Sequence, residues 1–233
     1  MSEITENTAA VLDRVRAAAI AAGKDPAGIT VVAASKMNSA ERVREAFASG
    51  IRVFGENRVQ EMLEKNRLGA YAGAELHFIG RLQRNKVRQV VGLAGLIHSA
   101  DSLPLIEEID RCAKKAALVQ DILLEVNIAG EASKGGVAPE DVDAVLGRIS
   151  SFGNVRVRGL MAVPPICSDP EDNVPFFESM TKLFVDNSIK KYDNVSMDFL
   201  SMGMSGDFEA AIACGANMVR IGSAIFGPRN YNI

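Results

Sequence analysis

Strand-like and helix-like stretches alternate along the whole of this 233-residue sequence, and that alternation restricts the folds open to it more than any other feature. Short apolar runs rich in β-branched residues lie at Ile29 to Lys36, Arg52 to Gly55, Leu76 to Gly80, Leu96 to Ser99, Val119 to Asn127, Val155 to Val163, Ser196 to Met202 and Met218 to Gly222. Between them lie stretches with helical spacing: one through Val43 and Phe47 to Gly50, then Arg58 to Leu68, Asn85 to Val91, Leu103 to Ala117, Glu140 to Ser150, Phe176 to Ile189 and Phe208 to Ala213. A further helix, Thr8 to Ala22, stops at Gly23 ahead of the first strand. About eight strand and helix units are the count of a (β/α)8 TIM barrel, here with an extra N-terminal helix and one domain over 1–233. An open doubly wound sheet shares the local pattern and is the alternative.

Hydrophobic residues at 48% and charged residues at 24% are ordinary globular values, so disorder and fibrous architecture are not expected. The net charge of −3 gives no electrostatic basis for binding nucleic acid. The densest basic cluster, Arg81, Arg84, Lys86 and Arg88, reads as a solvated helix face. Cys112, Cys167 and Cys214 are odd in number and lack metal or redox spacing, as free thiols in a reducing cytoplasm would. The polar start is unlike a secretory or transit peptide, and no apolar run approaches the length of a membrane span. A cytoplasmic protein with no membrane partner is expected.

The first strand stops on a lysine. Val32, Ala34 and Lys36 share one face by the strand period of two, and the small Ala34 leaves room beside the amine. In a partly dry pocket the ammonium is disfavoured, and the neutral amine is suited to bonding a carbonyl carbon. A strand-terminal lysine reaching water is the bland reading. Two later turns add anion donors. Leu200 to Asp207 passes from strand to helix through Ser201, Gly203, Ser205 and Gly206, and Gly222-Ser223 follows the last strand. These turns follow the seventh and eighth strands, the usual place of phosphate sites in barrels. Arg220 is a lone cation in an apolar strand, to be matched by an anionic ligand or by a neighbouring carboxylate.

An amine after the first strand and a phosphate cradle after the last two point to a ligand with both an aldehyde and a phosphate. Pyridoxal 5'-phosphate (PLP) and the phosphorylated sugars of Schiff-base aldolases both qualify. His77 and His98, in separate strands without metal spacing, do not separate them. The loops Gly130 to Gly136 and Pro164-Pro165 through Pro175 are lids or ordinary surface loops.

Several motifs resemble the pyridoxal phosphate homeostasis protein family, whose barrel is similar to the N-terminal domain of alanine racemase. They are Ala34-Ser35-Lys36, Phe54-Gly55-Glu56-Asn57, His77 to Lys86, Ser133-Lys134-Gly135-Gly136, Gly159-Leu160-Met161-Ala162, Leu200 to Asp207 and Arg220 to Gly227. Leu76 departs from the pattern, where the family usually has an aromatic residue. The resemblance implies PLP fold type III, with Lys36 holding the cofactor as an internal aldimine. It implies Ser201, Ser205, Gly222 and Ser223 around the phosphate and Arg220 at the pyridine nitrogen or phosphate. Asn57 and Met161 are implied ring contacts, and Lys134 a secondary cofactor site. The function implied is a monomeric, non-catalytic regulator of PLP that serves vitamin B6 and amino-acid homeostasis and delivers the cofactor to apo PLP-dependent enzymes. The enzyme alternative is a fold type III amino-acid racemase or decarboxylase. Alanine racemases carry an added β domain, which a sequence ending at Ile233 is expected to lack.

Overall fold

The computed structural model describes residues 2–131, 134–165 and 167–228. Its strands are β1 (Thr30–Ala34), β2 (Val53–Glu56), β3 (Glu75–Phe78), β4 (Leu96–Ala100), β5 (Gln120–Glu125), β6 (Val155–Met161), β7 (Val195–Ser201) and β8 (Met218–Ile221). They pair in sequence order, all parallel, and β8 returns to β1 to close a barrel. The open-sheet alternative is thereby excluded.

Strand periodicity explains the two-layered core. Val32, Val53, Leu96, Leu123, Met161 and Met218 point inward and fill the barrel with Ile79, Val163 and Phe199. The alternate residues, among them Ala33, Phe54, Ile97, Ile122, Leu124 and Val219, point outward beneath the helices. Those helices are α1 (Glu3–Ala21), α2 (Ala40–Ala48), α3 (Val59–Arg67), α4 (Val87–Val90), α5 (Leu103–Lys115), α6 (Val142–Ile149), α7 (Val174–Ser188), α8 (Phe208–Cys214) and α9 (Ser223–Phe226).

Three boundaries differ from the sequence expectation, each for a local reason. Helix α1 begins at Glu3 rather than Thr8 because Ser2 caps it, accepting from the Thr5 amide, and Glu3 and Glu6 favour the first turn. Between β3 and β4 the helix is short: Arg84–Lys86 form a 3-10 turn and only Val87–Val90 are α-helical. Pro175 lies in the first turn of α7, where its missing N–H costs no helical bond. The Gly130 to Gly136 loop is described except for Ala132 and Ser133, and Ile166 of the proline-bearing connection also lies outside the described residues.

Two irregularities aim side chains at the barrel mouth, the end where the strands finish. On β4, three steps from Ile97 to Ala100 oppose only two from Ile122 to Leu124, so one extra residue is accommodated near His98 and Ser99. On β6, three steps from Val157 to Leu160 oppose those same two. Gly159 makes that kink at φ +141°, and a Cβ there would lie 1.9 Å from the Phe199 carbonyl oxygen. No described helix is long and apolar enough to cross a membrane.

Candidate functional site

The chain leaving β1 is fixed from behind by a buried polar cluster. Glu56, at the end of β2, is fully buried, and its Oε1 accepts from Ser35 Oγ at 2.6 Å, Lys65 Nζ at 2.7 Å and Tyr71 Oη at 2.8 Å. Lys65 Nζ also donates to the Ser35 carbonyl at 2.7 Å. One residue beyond Lys36, the Met37 amide donates to Glu61 Oε2 at 2.7 Å, with Met37 in the left-handed region at φ 61°. Both neighbours of Lys36 are therefore tied down, while Lys36 itself is half-buried and reaches the mouth. Burial, together with the Glu56 charge, raises the Tyr71 hydroxyl far above its usual range and keeps it a donor.

Glycine shapes the space in front. A Cβ on Gly55 would lie 2.7 Å from Ile79 Cδ1 and 2.9 Å from Val32 Cγ1, and one on Gly80 would strike the Asn57 carbonyl oxygen at 2.2 Å. These close approaches draw Asn57 and Ile79 together at the edge of a cavity of about 350 Å³. Lys36, Asn57, Ser205, Arg220, Gly222 and Ser223 all line it. Met161 does not; it lies inside the barrel and borders an adjoining cavity. Ser201 is fully buried and does not line the cavity, and its hydroxyl accepts from Arg220 Nη1 at 2.6 Å.

On the far side of the cavity, the Gly222 and Ala224 amides converge on Ser205 Oγ, at 3.1 and 3.4 Å. The turn carrying Ser205 is braced by Asp207, whose carboxylate accepts from the Met204 amide at 2.6 Å and from Asn173 Nδ2 at 2.8 Å. This is a preformed set of donors gathered on one oxygen, the arrangement an anion's oxygens require.

Arg220 lies between the two halves, 5% exposed, and donates to Ser201 and to the Ala162 carbonyl at 2.8 Å. Burial lowers its pKa to about 10, partly offset by Glu125 and Asp207, so it stays charged at neutral pH. A hydrogen-bond chain runs on from it through the barrel. Ser201 Oγ lies 3.1 Å from His98 Nδ1, His98 Nε2 lies 2.9 Å from His77 Nδ1, and His77 Nε2 lies 2.9 Å from Glu75 Oε1. The Glu75 carboxylate only accepts, so with one proton on each imidazole the chain has one sense: His77 donates to Glu75, His98 to His77 and Ser201 to His98, while Ser201 accepts from Arg220. Both histidines then carry their proton on Nε2. Burial, with His77 and Arg220 adding to it, holds His98 well below the usual histidine range, so it is neutral.

Sequence reasoning leaves both histidines as core or loop residues without metal spacing and misses this chain, although adjacent strands and inward parity were the available signal. Arg81 reads in the sequence both as part of a basic helix face and as a residue just past a strand end; the structure agrees with the second, placing it at the mouth ahead of the 3-10 turn. Among the described residues no His, Cys, Asp and Glu group is arranged to hold a metal.

A closed parallel barrel with a braced lysine on one side of its mouth, an anion cradle on the other and a buried arginine between them defines a class of barrel built to hold an anionic carbonyl compound. The chain belongs to the family described as alanine racemase, N-terminal domain, which matches residues 6–230, and its curated relatives are pyridoxal phosphate homeostasis proteins. That of Aquifex aeolicus is 43% identical over 226 residues, 97% of this chain and 98% of the relative. That of Pseudomonas aeruginosa is 42% identical over 231 residues, covering 99% and 98%. Among solved structures, Synechococcus elongatus PipY with PLP bound superposes with a TM-score of 0.82 at 32% identity, covering 96% of this chain and 100% of PipY.

Proposed function

We propose that this protein binds PLP through Lys36, holds it without a robust reaction of its own and so regulates intracellular vitamin B6 and amino-acid homeostasis. The observation that carries the reading is that Lys36, Arg220 and the Ser205 to Gly222 cradle line one cavity at the strand ends. When bound, the cofactor supplies an aldehyde carbon to which the lysine amine bonds with loss of water. The Gly222 and Ala224 amides, with the Ser205 and Ser223 hydroxyls, are suited to the phosphate, and Asn57 to the ring. Asn57 Oδ1 is buried without a hydrogen-bond partner among the described residues, as an atom awaiting a ligand donor would be. Arg220 has no lone pair with which to accept a proton from the ring. Facing the ring nitrogen, it disfavours protonation there and weakens the ring as an electron sink. Ser201 acts one step behind, by fixing Arg220.

Within this reading the protein is a cytoplasmic monomer that hands PLP to apo PLP-dependent enzymes, and Lys134 is a secondary cofactor position. Purified protein incubated with PLP is expected to gain visible absorbance that Lys36→Ala removes. Incubation of the loaded protein with single-enantiomer amino acids is expected to leave optical rotation unchanged; a steady loss would replace the carrier with the racemase alternative.

A further inference from the structure

One string of polar side chains crosses the barrel from end to end. Glu75 opens β3 at the end opposite the mouth, where it is exposed and lines a separate cavity of about 320 Å³ with Asp121 and Arg158. Ser201 closes β7 at the mouth. Between them the steps Glu75 to His77, His77 to His98, His98 to Ser201 and Ser201 to Arg220 measure 2.9, 2.9, 3.1 and 2.6 Å. The residues one inward step back along β4, β7 and β8 are Leu96, Phe199 and Met218, all apolar.

His77, His98 and Ser201 are all buried, and both nitrogens of each imidazole and the serine hydroxyl have partners. Such a string is weak evidence for stability, because well-packed apolar residues would fill the same space at no greater cost. What it fixes is direction, and the direction is set from the far end. The hydrogen bond from His77 holds the Glu75 carboxyl below the usual carboxylate range, against the opposing effect of burial, so Glu75 is ionised at neutral pH. Its charge keeps the proton of His77 on Nε2, which places that of His98 on Nε2 and leaves His98 Nδ1 to accept from Ser201. A hydroxyl that donates in this way has a more negative oxygen, and in a dry interior each bond of a string strengthens the next.

Ser201 Oγ is therefore a strong acceptor for Arg220 Nη1, and the Ala162 carbonyl holds Nη2 at 2.8 Å. These two bonds fix the guanidinium plane and leave its other donors for the cavity that Arg220 lines. Without the carboxylate, His77 can take its proton on Nδ1. His98 then carries its own on Nδ1 and donates to Ser201, whose oxygen receives two donors while its hydroxyl proton, in a fully buried side chain, loses its acceptor. We propose that Glu75, His77 and His98 are positioning residues for the cofactor: acting through Ser201, they hold Arg220 in the orientation that reads the pyridine nitrogen. A carboxylate on the opposite face of the barrel thereby sets the selectivity of the mouth for a nitrogen-containing ring. The inference rests on the placing of Arg220 at the ring nitrogen and deepens it by naming what holds the arginine there.

The test is calorimetric titration of the full-length protein with PLP and with 1-deazapyridoxal 5'-phosphate, in which a C–H replaces the ring nitrogen while the aldehyde and phosphate remain. Wild type is expected to bind PLP more tightly by about tenfold or more, because the all-carbon ring leaves a buried arginine donor unpaired. Glu75→Met and His98→Leu are each expected to bring that preference to about threefold or less by weakening PLP alone. Glu75→Gln, whose amide oxygen still accepts from His77, is expected to keep it. Glu75 is exposed, so Glu75→Met decides the matter where His98→Leu does not fold. An unchanged preference in Glu75→Met, or a parallel loss for both compounds, overturns the proposal and leaves the cofactor reading intact. Equal binding of the two compounds by wild type instead refutes the placing of Arg220 at the ring nitrogen, and the proposal with it.

Discussion

Replacing Glu56 by glutamine tests the claim that a buried ion pair holds the lysine-bearing turn. The carboxylate is fully buried and receives three donors on one oxygen, and the Lys65 side chain is only 8% exposed. Removing one member of such a pair leaves a buried charge uncompensated, at a cost of about 3 to 5 kcal/mol. Glu61 Oε2, 3.4 Å from the same ammonium, remains and is partly solvated, so the lower end applies, about 3 kcal/mol. For a chain of this length that corresponds to a fall in Tm of roughly 6 to 12 °C. Urea unfolding of wild type, Glu56→Gln, Lys65→Met and the double variant measures the coupling directly. The double variant is expected to be no less stable than Glu56→Gln, because it removes the orphaned charge. A cost below about 1 kcal/mol for Glu56→Gln, or additive single and double effects, would refute the reasoning. Because Ser35 then donates to a neutral amide oxygen in place of a carboxylate, a weaker acceptor, the variant is also expected to take up PLP more weakly.

Two further outcomes follow from buried titrating groups. The folded pKa of Glu125, about 7, exceeds its reference value of 4.5, so the folded state holds the proton more tightly and stability falls as pH rises between those values. Glu125→Gln should therefore gain up to about 3 kcal/mol relative to wild type at pH 8, and little at pH 4, in urea unfolding. For the barrel's interior chain, nitrogen-15 NMR at neutral pH should find His98 neutral with its proton on Nε2; a proton on Nδ1 of His98 would reverse the chain and contradict the donor sense set by Glu75.

The barrel was legible because two periodicities alternate over the whole sequence, and Lys36 because a β-branched run ends on it. Strand length was read less well: β5 stops at Glu125, not Asn127, where the chain turns out toward the Gly130 loop. The bulges on β4 and β6 leave no clear trace in an apolar pattern, so the inward turn at Ser99 was not foreseen. Glu56 was visible only as part of a motif. Its partners Lys65 and Tyr71 come from α3 and the loop after it, and only closure of the α3 unit onto the ends of β1 and β2 brings them together. Ser201 and Ser205 looked equivalent in one serine-rich turn, yet the strand's parity sends Ser201 inward to Arg220, while the turn delivers Ser205 to the mouth.

Covalent capture by Lys36 is tested most directly by mixing the protein with PLP, reducing with borohydride and mapping the modified peptide by mass spectrometry. The account predicts one dominant adduct, on Lys36, lost in Lys36→Ala. A dominant adduct on another lysine, or none on Lys36 under saturating cofactor, would contradict it.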